Sequence, residues 1–244
     1  MSEKIIGLIP TRMDSSRFPG KPIADICGKP MIYWVYEQAK KVDLIDELYV
    51  VTGDDIIVQK CREEKIPYIV EKRRTSTAAQ KLSLVAESVE ADIFLNIQGD
   101  EPLIKPEAIE QIIEEILKNQ EVYYVGLRSK IKNIKEFEDT NIVKTIVDRN
   151  NYALYFSRSP IPYKFDCDNA YRVLGLYGYR KNFLIRFSSF PESNLEILEC
   201  GVEMLKAMEN GFRIKLVETE YNTIGVDLPE HIALIEKELR NRIF

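Results

Sequence analysis

Histidine is almost absent from this chain. Among its 244 residues the only histidine is His231, which lies in a helical stretch near the C-terminus. A single imidazole in that position argues against a histidine general base, a serine–histidine triad or a histidine-rich zinc site. The four cysteines include no C-x-x-C pair, which favours free thiols in a reducing cytoplasm over zinc ligands or disulfides. They are Cys27, Cys61, Cys167 and Cys200.

Long apolar runs and an excess of positive charge are missing too. No apolar stretch reaches the ~18 residues that a membrane span needs. The opening M-S-E-K-I-I-G-L-I-P lacks the apolar core and cleavage site of a signal peptide. The chain carries 34 basic and 39 acidic residues, a formal net charge of −5. This charge balance argues against a nucleic-acid partner, whereas a phosphorylated small molecule needs only a local basic patch. The missing signal peptide and membrane span predict a cytoplasmic protein with no membrane partner.

Strand and helix patterns alternate through the first half of the chain. Strands are predicted at 5–9, 47–52, 68–70 and 92–97, and helices at 30–40, 55–64, 78–89 and 106–119. Alternation at this spacing predicts an α/β fold with a doubly wound, mostly parallel sheet that helices cover on both faces. Sheets of this kind bind their ligands at the carboxyl ends of the strands.

Strands dominate the pattern from residue 121 onward. They are predicted at 122–127, 141–147, 152–158, 172–179 and 213–218, with helices at 196–210 and from Pro229. We interpret these strands as a smaller mixed β region, inserted in or appended to the parallel sheet. No repeat and no low-complexity linker interrupts the chain, which predicts a single domain over 1–244.

A cationic loop follows the first predicted strand. The segment P-T-R-M-D-S-S-R-F-P-G-K-P places Arg12, Arg17 and Lys21 among small and turn-forming residues. Cations and unpaired backbone N–H groups at the end of a parallel strand suit a polyphosphate, and arginine adds a rigid fork that lysine lacks. The alternative is a solvated basic loop with a Pro-Gly turn, which any one of these cations alone would favour.

Acidic residues follow two other predicted strands. In N-I-Q-G-D-E-P, Asp100 and Glu101 offer the hard oxygen ligands that Mg²⁺ prefers. In G-V-D-L-P-E, Asp227 precedes the last helix. Taken singly, the first motif equally suits an acidic turn, and Asp227 suits a helix N-cap. Together, two carboxylates from separate strand ends would hold a metal ion against a triphosphate bound by the cationic loop.

Five motifs, in the same order, give the chain a resemblance to the CMP-KDO synthetase (3-deoxy-manno-octulosonate cytidylyltransferase) family over nearly its full length. They are L-I-P-T-R-M-D-S-S-R-F-P-G-K-P-I, C-G-K-P-M-I, N-I-Q-G-D-E-P-L-I, Y-A-L-Y-F-S-R-S-P-I-P-Y and T-I-G-V-D-L-P-E. The resemblance implies a nucleotide-binding fold of the nucleotide-sugar transferase type and a homodimer. It also implies a reaction in which CTP and the anomeric hydroxyl of an acidic sugar give a CMP-sugar and pyrophosphate.

The same resemblance implies roles for the two halves of the chain and for individual residues. Residues 1–120 would form the nucleotide-binding half, and 121–244 the acceptor-binding and dimerisation half. Arg12, Lys21, Asp100 and Asp227 are expected to be catalytic, with Mg²⁺ held by the two aspartates. The residues expected to bind CTP are Pro10, Arg12, Ser15, Ser16, Arg17, Lys21, Ser76, Gln98 and Asp100. The residues expected to bind the acceptor are Arg158, Tyr177 and Glu203; Arg158 suits a carboxylate or a salt bridge at a strand edge equally well.

Three departures from the family pattern fall where the acceptor would bind. The loop 74–81 has no S-G-T-acid-Arg sequence, Val173 stands where the family has histidine, and the helix motif has Met204 and Lys206 for glutamine and arginine. We predict CMP transfer to a KDO-like 3-deoxy-2-keto acid. Because a site that loses polar groups admits a different ligand, we hypothesise that the acceptor is not KDO itself but a modified or different acidic sugar, or another small acid or phosphate.

Two alternatives belong to other classes of function. A non-catalytic nucleotide-binding homologue remains an alternative, since a fold does not fix a function. A dinucleotide-dependent oxidoreductase is disfavoured because no G-x-G-x-x-G follows the first predicted strand.

Overall fold

The computed structural model describes residues 3–15, 17–221 and 224–243. For residues 242 and 243 it describes the backbone only. Its strands are β1 (Ile5–Pro10), β2 (Asp25–Ile26), β3 (Lys29–Pro30), β4 (Glu47–Thr52), β5 (Tyr68–Val70), β6 (Ile93–Ile97), β7 (Tyr124–Lys130), β8 (Lys144–Val147), β9 (Ala153–Ser157), β10 (Tyr171–Arg180) and β11 (Lys215–Glu218). Its helices are α1 (Met31–Ala39), α2 (Asp55–Glu63), α3 (Ala78–Ala86), α4 (Pro106–Lys118), α5 (Ile134–Glu138), α6 (Lys181–Phe187), α7 (Asn194–Leu198), α8 (Met204–Glu209) and α9 (His231–Ile243). A 3-10 turn covers Lys21–Ile23.

The main path of the sheet runs through seven strands in the order β11-β7-β10-β6-β1-β4-β5. Along this path β10 is antiparallel to β6 and β7, and the remaining neighbours are parallel to each other. The predicted α/β fold with a doubly wound, mostly parallel sheet is therefore confirmed. The carboxyl ends of β1, β4, β6, β7 and β11 lie along one side of the sheet, which we call the carboxyl edge.

Most strands of the second half extend the main sheet. β7, β10 and β11 continue it beyond β6 with antiparallel and parallel pairing. β8 and β9 pair antiparallel with each other, and β8 also pairs with β10. The predicted mixed β region is therefore appended to the parallel sheet and joined to it. The reason is that β10 is long enough to pair with β6 through residues 176–180 and with β8 through Tyr171 and Arg172.

Helices cover both faces of the sheet. On one, which we call the α4 face, isoleucine side chains of α4 pack with apolar residues of α1 and α2. On the other, which we call the α3 face, residues of α3, α6 and α8 pack around Tyr124, Tyr177 and Tyr179. Central strands are consequently buried on both sides, as parallel sheets require: residues 5–9 and 93–97 are all buried.

The single helix predicted over 196–210 is two short helices, α7 and α8, in the structure. Between them Cys200 and Gly201 adopt left-handed backbone conformations with φ of 52° and 85°. The Gly201 N–H donates to the Glu196 carbonyl oxygen at 2.8 Å, which closes α7. Glycine adopts this conformation without steric cost, so the helix ends there and Met204 begins the next one.

Short elements escaped the sequence prediction. The β2–β3 hairpin, α5 and α6 each cover seven residues or fewer, too few for a clear apolar period. All four cysteines are free thiols, and Cys61 is buried. None of the helices in the described part of the chain combines the length and the hydropathy that crossing a bilayer requires.

Candidate active site at the carboxyl edge

Three loops meet at the carboxyl edge: those after β1, after β6 and before α9. Gly99 lies so close to the first loop that a Cβ there would stand 2.6 Å from Thr11 Cγ2 and 3.2 Å from the Pro10 carbonyl oxygen. The third loop is fixed by the Val226 N–H, which donates to the Asp100 carbonyl oxygen at 2.8 Å. Backbone contacts therefore bring together segments that are far apart in the sequence.

Lys21 contacts both of the aspartates that were predicted to hold a metal ion. Its Nζ lies 2.6 Å from Asp100 Oδ2 and 3.9 Å from Asp227 Oδ1. Asp227 Oδ1 also accepts a hydrogen bond from Arg17 Nη2 at 2.8 Å. Left-handed Gly20, just before the 3-10 turn, turns the chain here, and only 14% of the Lys21 side chain is exposed. The structure thus joins four of the residues that the sequence nominated.

Lys81 is a candidate site residue that the sequence analysis did not nominate. Arg12 is exposed, and its charge acts on Lys81 in the first turn of α3. Lys81 Nζ donates to the Glu71 carbonyl oxygen at 3.2 Å. Burial lowers the pKa of the Lys81 ammonium group; Glu71 and Asp54 oppose this shift, and Arg12 adds to it. Two cations whose charges act on each other attract an anion. The sequence offered one signal for Lys81: a lysine near the start of a helix is disfavoured by the helix dipole.

The remaining part of the loop after β1 is held by its backbone. The Asp54 carboxylate accepts the Met13 N–H at 2.8 Å, and the Ser15 N–H donates to the Met13 carbonyl oxygen at 3.1 Å. Pro10 ends β1 directly beside Gly99. Ser16 lies outside the described residues.

Gln98 and Ser76 lie on different parts of the edge. Gln98 Nε2 donates to Asn96 Oδ1 at 3.3 Å. A Cβ on Gly175 would stand 2.8 Å from Gln98 Cγ, so glycine in β10 leaves the space that Gln98 fills. Ser76 is exposed, and its hydroxyl donates to Gln80 Oε1 at 2.8 Å within the same turn. Gln98 follows β6 and so lies between the ends of β1 and β10, whereas Ser76 precedes α3.

The three residues nominated for acceptor binding are engaged with the protein. Tyr177 is 7% exposed, and its hydroxyl donates to Met204 Sδ at 3.5 Å; burial raises the pKa of this phenol. Glu203 Oε2 accepts the Ala79 N–H at 3.3 Å, and burial raises the pKa of that carboxyl group. The Arg158 guanidinium donates to the backbone carbonyl oxygens of Thr140, Asn141, Glu199 and Cys200.

The departures from the family pattern fall in segments that meet on the α3 face. Glu203, before α8, accepts a hydrogen bond from the Ala79 N–H at the start of α3, and this start lies within the divergent segment 74–81. Met204 accepts from Tyr177 in β10, and Val173 packs against the same apolar cluster on the α3 face. Changes in three separate segments thus belong to one packed region.

A second group of potential metal ligands lies elsewhere. Among the described residues, the one set of three or more such side chains comprises the exposed Asp166, Cys167 and Asp168. The Asp166 carboxylate accepts from the Asp168 N–H and from the Asn169 amide, at 3.0 and 2.6 Å. These bonds stabilise a local turn, and the group is not part of the site at the carboxyl edge.

Comparison with known proteins agrees with this geometry. Residues 6–216 match the cytidylyltransferase family model. The 3-deoxy-manno-octulosonate cytidylyltransferases of Trichlorobacter lovleyi and Geobacter sulfurreducens are 39% and 40% identical, over 97% of this chain and 99% of each relative.

Solved structures give the same result. A CMP:2-keto-3-deoxy-manno-octonic acid synthetase complexed with CTP superposes with a TM-score of 0.92 at 35% identity, over 98% of this chain and 99% of that one. A 4-diphosphocytidyl-2C-methyl-D-erythritol synthase from Anaerococcus prevotii, at 16% identity and a TM-score of 0.65, shares the fold. The chain therefore belongs to the CMP-KDO synthetase family of CTP-dependent cytidylyltransferases.

Proposed function

We propose that this enzyme transfers CMP from CTP to KDO or a closely related 3-deoxy-2-keto sugar acid and releases pyrophosphate. The observation that carries the proposal is the cluster at the carboxyl edge, in which Lys21 contacts Asp100 and Asp227, and Arg17 contacts Asp227. The reactions named for the relatives and the CTP bound to the similar synthetase support it.

The cations of the nucleotide side are suited to a triphosphate. Arg12, Arg17, Lys21 and Lys81 come from the loop after β1 and from α3, and Arg12 is exposed beside Lys81. Arginine forks and lysine ammonium groups bind phosphate oxygens by charge-assisted hydrogen bonds. We assign the phosphates of CTP to these side chains, and Gln98 to the boundary with the acceptor.

Asp100 and Asp227 have the donor chemistry that Mg²⁺ requires. Both offer hard carboxylate oxygens, and a single cationic group already contacts both. Mg²⁺ held there would neutralise charge on the phosphates, the main requirement of phosphoryl transfer. Lys21 would then be released from Asp100 to bind the phosphates.

The reaction itself is a substitution at phosphorus. The anomeric hydroxyl oxygen of the acceptor bonds to the α-phosphorus, and the bond from that phosphorus to the pyrophosphate oxygen breaks. The hydroxyl proton passes to water or to a carboxylate such as Asp100, and pyrophosphate leaves with the electron pair. The residues at the edge orient the two reactants and stabilise negative charge.

A homodimer is part of the proposal. Edge strand β9 exposes Leu154, the adjoining helix α7 exposes Ile197 and Leu198, and Tyr163 is 96% exposed. Large apolar side chains grouped beside an unpaired strand edge are typical of protein–protein contacts. A second copy of the chain is the occupant that the family resemblance implies.

Pyrophosphate release tests the proposed reaction. Purified protein is incubated with Mg²⁺, KDO and either CTP, UTP or GTP, and the product is identified by mass spectrometry. We expect pyrophosphate and CMP-KDO with CTP. Turnover of another acidic sugar in place of KDO would support the altered-acceptor hypothesis. CTP binding without pyrophosphate release, with KDO and with the other acidic sugars tested, would contradict the proposal and favour the non-catalytic alternative.

A further inference from the structure

The single histidine of the chain contacts the backbone of a proposed metal ligand. His231 is the first residue of α9, and its Nδ1 atom accepts a hydrogen bond from the Asp227 N–H at 3.2 Å. The same nitrogen lies 3.1 Å from the Gly225 carbonyl oxygen. Because the imidazole takes no part in the proposed substitution at phosphorus, any effect of His231 on the reaction passes through Asp227.

Consecutive N–H groups hold the backbone before α9. The Val226 N–H donates to the Asp100 carbonyl oxygen at 2.8 Å, and the next N–H along the chain, that of Asp227, donates to His231. The Asp227 carboxylate lies 2.8 Å from Arg17 Nη2. With two neighbouring peptide groups fixed, the Asp227 side chain leaves the backbone in a set direction, toward the cationic loop.

The spacing of four residues explains why the imidazole reaches Asp227. The first turn of α9 is closed by the His231 N–H, which donates to the Leu228 carbonyl oxygen at 3.0 Å, and by the Ile232 N–H, which donates to that of Pro229 at 3.1 Å. Helical side chains lean toward the N-terminus of their helix. The side chain at the start of α9 is therefore directed at the backbone of the preceding turn.

The Nδ1 atom of His231 serves one of its two neighbours at a time. A neutral ring nitrogen carries either a lone pair, which accepts the Asp227 N–H, or a proton, which donates to the Gly225 carbonyl oxygen. An unpaired backbone N–H is rarer in proteins than a carbonyl oxygen that uses few of its lone pairs, and the start of a helix disfavours positive charge. We therefore expect the lone pair on Nδ1 and the proton on Nε2.

We propose that His231 is a positioning residue for the metal site, and that its Nδ1 atom holds the Asp227 backbone so that the carboxylate stays beside Lys21 and Asp100. The inference rests on the proposed function for the Mg²⁺ that the two aspartates would bind, whereas the contact between His231 and Asp227 rests on the geometry alone. Partners that orient a metal ligand commonly change metal affinity about 10-fold to 100-fold when they are removed.

Two measurements on the protein without substrates test the contact. Because His231 is the only histidine, protein labelled with ¹⁵N-histidine and made without a histidine tag gives one imidazole in an NMR spectrum. At about pH 8, above the titration range of free imidazole, we expect the tautomer with its proton on Nε2. Hydrogen exchange of the Asp227 amide should be about 10-fold faster in His231→Leu. His231→Asn should restore slow exchange, because its amide oxygen can replace Nδ1 as the acceptor.

Metal binding tests the positioning role. Mn²⁺ binds the same oxygen ligands as Mg²⁺ and is counted by electron paramagnetic resonance, here in the presence of CTP. His231→Leu should weaken Mn²⁺ binding about 10-fold, and the Mg²⁺ concentration for half-maximal turnover should rise by the same factor. The KM of CTP at saturating Mg²⁺ should not change. His231→Asn should stay close to the native protein in each of these values.

Glu236→Leu is the matched control. Glu236 also lies on α9, and its Oε1 accepts the Cys27 N–H at 3.0 Å, so this variant removes another bond from α9 to a backbone N–H and leaves Asp227 untouched. Both leucine variants should lower the melting temperature, since each loses one such bond. Glu236→Leu should leave Mn²⁺ binding and the exchange of the Asp227 amide unchanged.

Three results would overturn the proposal. They are a proton on Nδ1 in the native protein, unchanged exchange of the Asp227 amide in His231→Leu, and equal loss of Mn²⁺ binding in both leucine variants, which would show that His231 only stabilises α9. Asp227→Asn tests the proposed function separately. If it binds Mn²⁺ as the native protein does, the metal role of Asp227 is refuted and the positioning role falls with it, while the tautomer and the amide exchange still decide the contact.

Discussion

Charged side chains at the carboxyl edge are paired with side chains of opposite charge. Asp100 and Asp227 lie 2.6 and 3.9 Å from Lys21 Nζ, and partly exposed ion pairs of this kind contribute on the order of 0.2–1 kcal/mol each. This pairing is sensitive to substitution, because each group is paired with a group from another loop. The following three predictions concern such residues.

Asp100→Asn should reduce pyrophosphate release at least about 100-fold, because it removes a negatively charged metal ligand and several kcal/mol of charge stabilisation. The fold should persist, since the Val226 N–H bonds to the backbone carbonyl of residue 100 and not to its side chain. Turnover with saturating CTP and Mg²⁺ is the measurement. Asp55→Asn, at an exposed aspartate in α2, is the control, and near-native turnover of Asp100→Asn would disprove the metal role.

Lys81→Gln should raise the KM of CTP about 10-fold, the loss expected for one hydrogen bond to a charged group. The KM of the acceptor should stay constant, because Lys81 lies beside Arg12 on the nucleotide side. Steady-state kinetics with each substrate varied in turn provide the test. Lys60→Gln, which alters a partly exposed α2 lysine, should change neither value. Equal effects of the two variants would remove Lys81 from the site.

Glu203 should make stability depend on pH. Burial raises the pKa of its carboxyl group in the folded protein above the ordinary 4.5, although Thr77 and Ala79 oppose the shift. A raised folded pKa means that the native state binds the proton more tightly than the unfolded chain does. Its contribution to stability is therefore complete below pH 4.5 and is lost as the pH rises through the folded value.

Glu203→Gln keeps a carbonyl oxygen for the Ala79 N–H and cannot ionise. We expect the free energy of unfolding of this variant, relative to the native protein, to increase from about pH 4 to about pH 8. Urea unfolding at both pH values measures it, with Glu107→Gln at an exposed site as the control. A difference that does not vary with pH would show that Glu203 ionises as freely in the folded protein as in the unfolded chain.

At the scale of elements, the turn between α7 and α8 divides the single helix predicted over 196–210. Local sequence gave correct bounds for β4 and β5, where short apolar strands end at polar residues. It missed the break at Cys200 and Gly201, because the apolar period runs on through Val202 and Met204. Two residues with a left-handed backbone interrupt a helix even where the apolar pattern of the sequence continues.

Gly201→Ala should lower the free energy of unfolding by about 1–2 kcal/mol, because a residue with a Cβ is strained at φ of 85°. Space does not limit the change, since a Cβ on Gly201 would meet no atom within 4 Å. Thermal and urea unfolding provide the values. Gly225→Ala is the control, as that glycine has equal space and no left-handed backbone; equal losses in both variants would contradict the explanation.

At the scale of the whole molecule, β10 joins the two halves of the chain. It pairs with β6 on one side and with β7 and β8 on the other, so the predicted halves share one sheet. Gly175 in β10 leaves room for Gln98, and Gly126 in β7 leaves room for Tyr177 of β10. The two predicted halves of the chain are therefore joined through one strand.

The predicted homodimer is a property of this scale. Light scattering after size-exclusion chromatography should give twice the mass of 28.3 kDa. The double substitution Leu154→Glu and Leu198→Glu should shift the protein to the monomer, since charge in an apolar interface is costly. Ile134→Glu, at an exposed apolar residue of α5, should leave the mass unchanged. A monomeric native protein would refute the dimer.

The sequence by itself determined the parallel α/β architecture, the cationic loop and the two acidic turns, because apolar period and turn chemistry are local properties of the chain. Five ordered motifs also sufficed to identify the family. Only the tertiary structure decided that Lys21 pairs with Asp100, that Arg17 pairs with Asp227, and that Glu203 bonds to the Ala79 N–H. Those contacts join residues that are distant in sequence, and their geometry depends on how strands and loops pack, which no local pattern encodes.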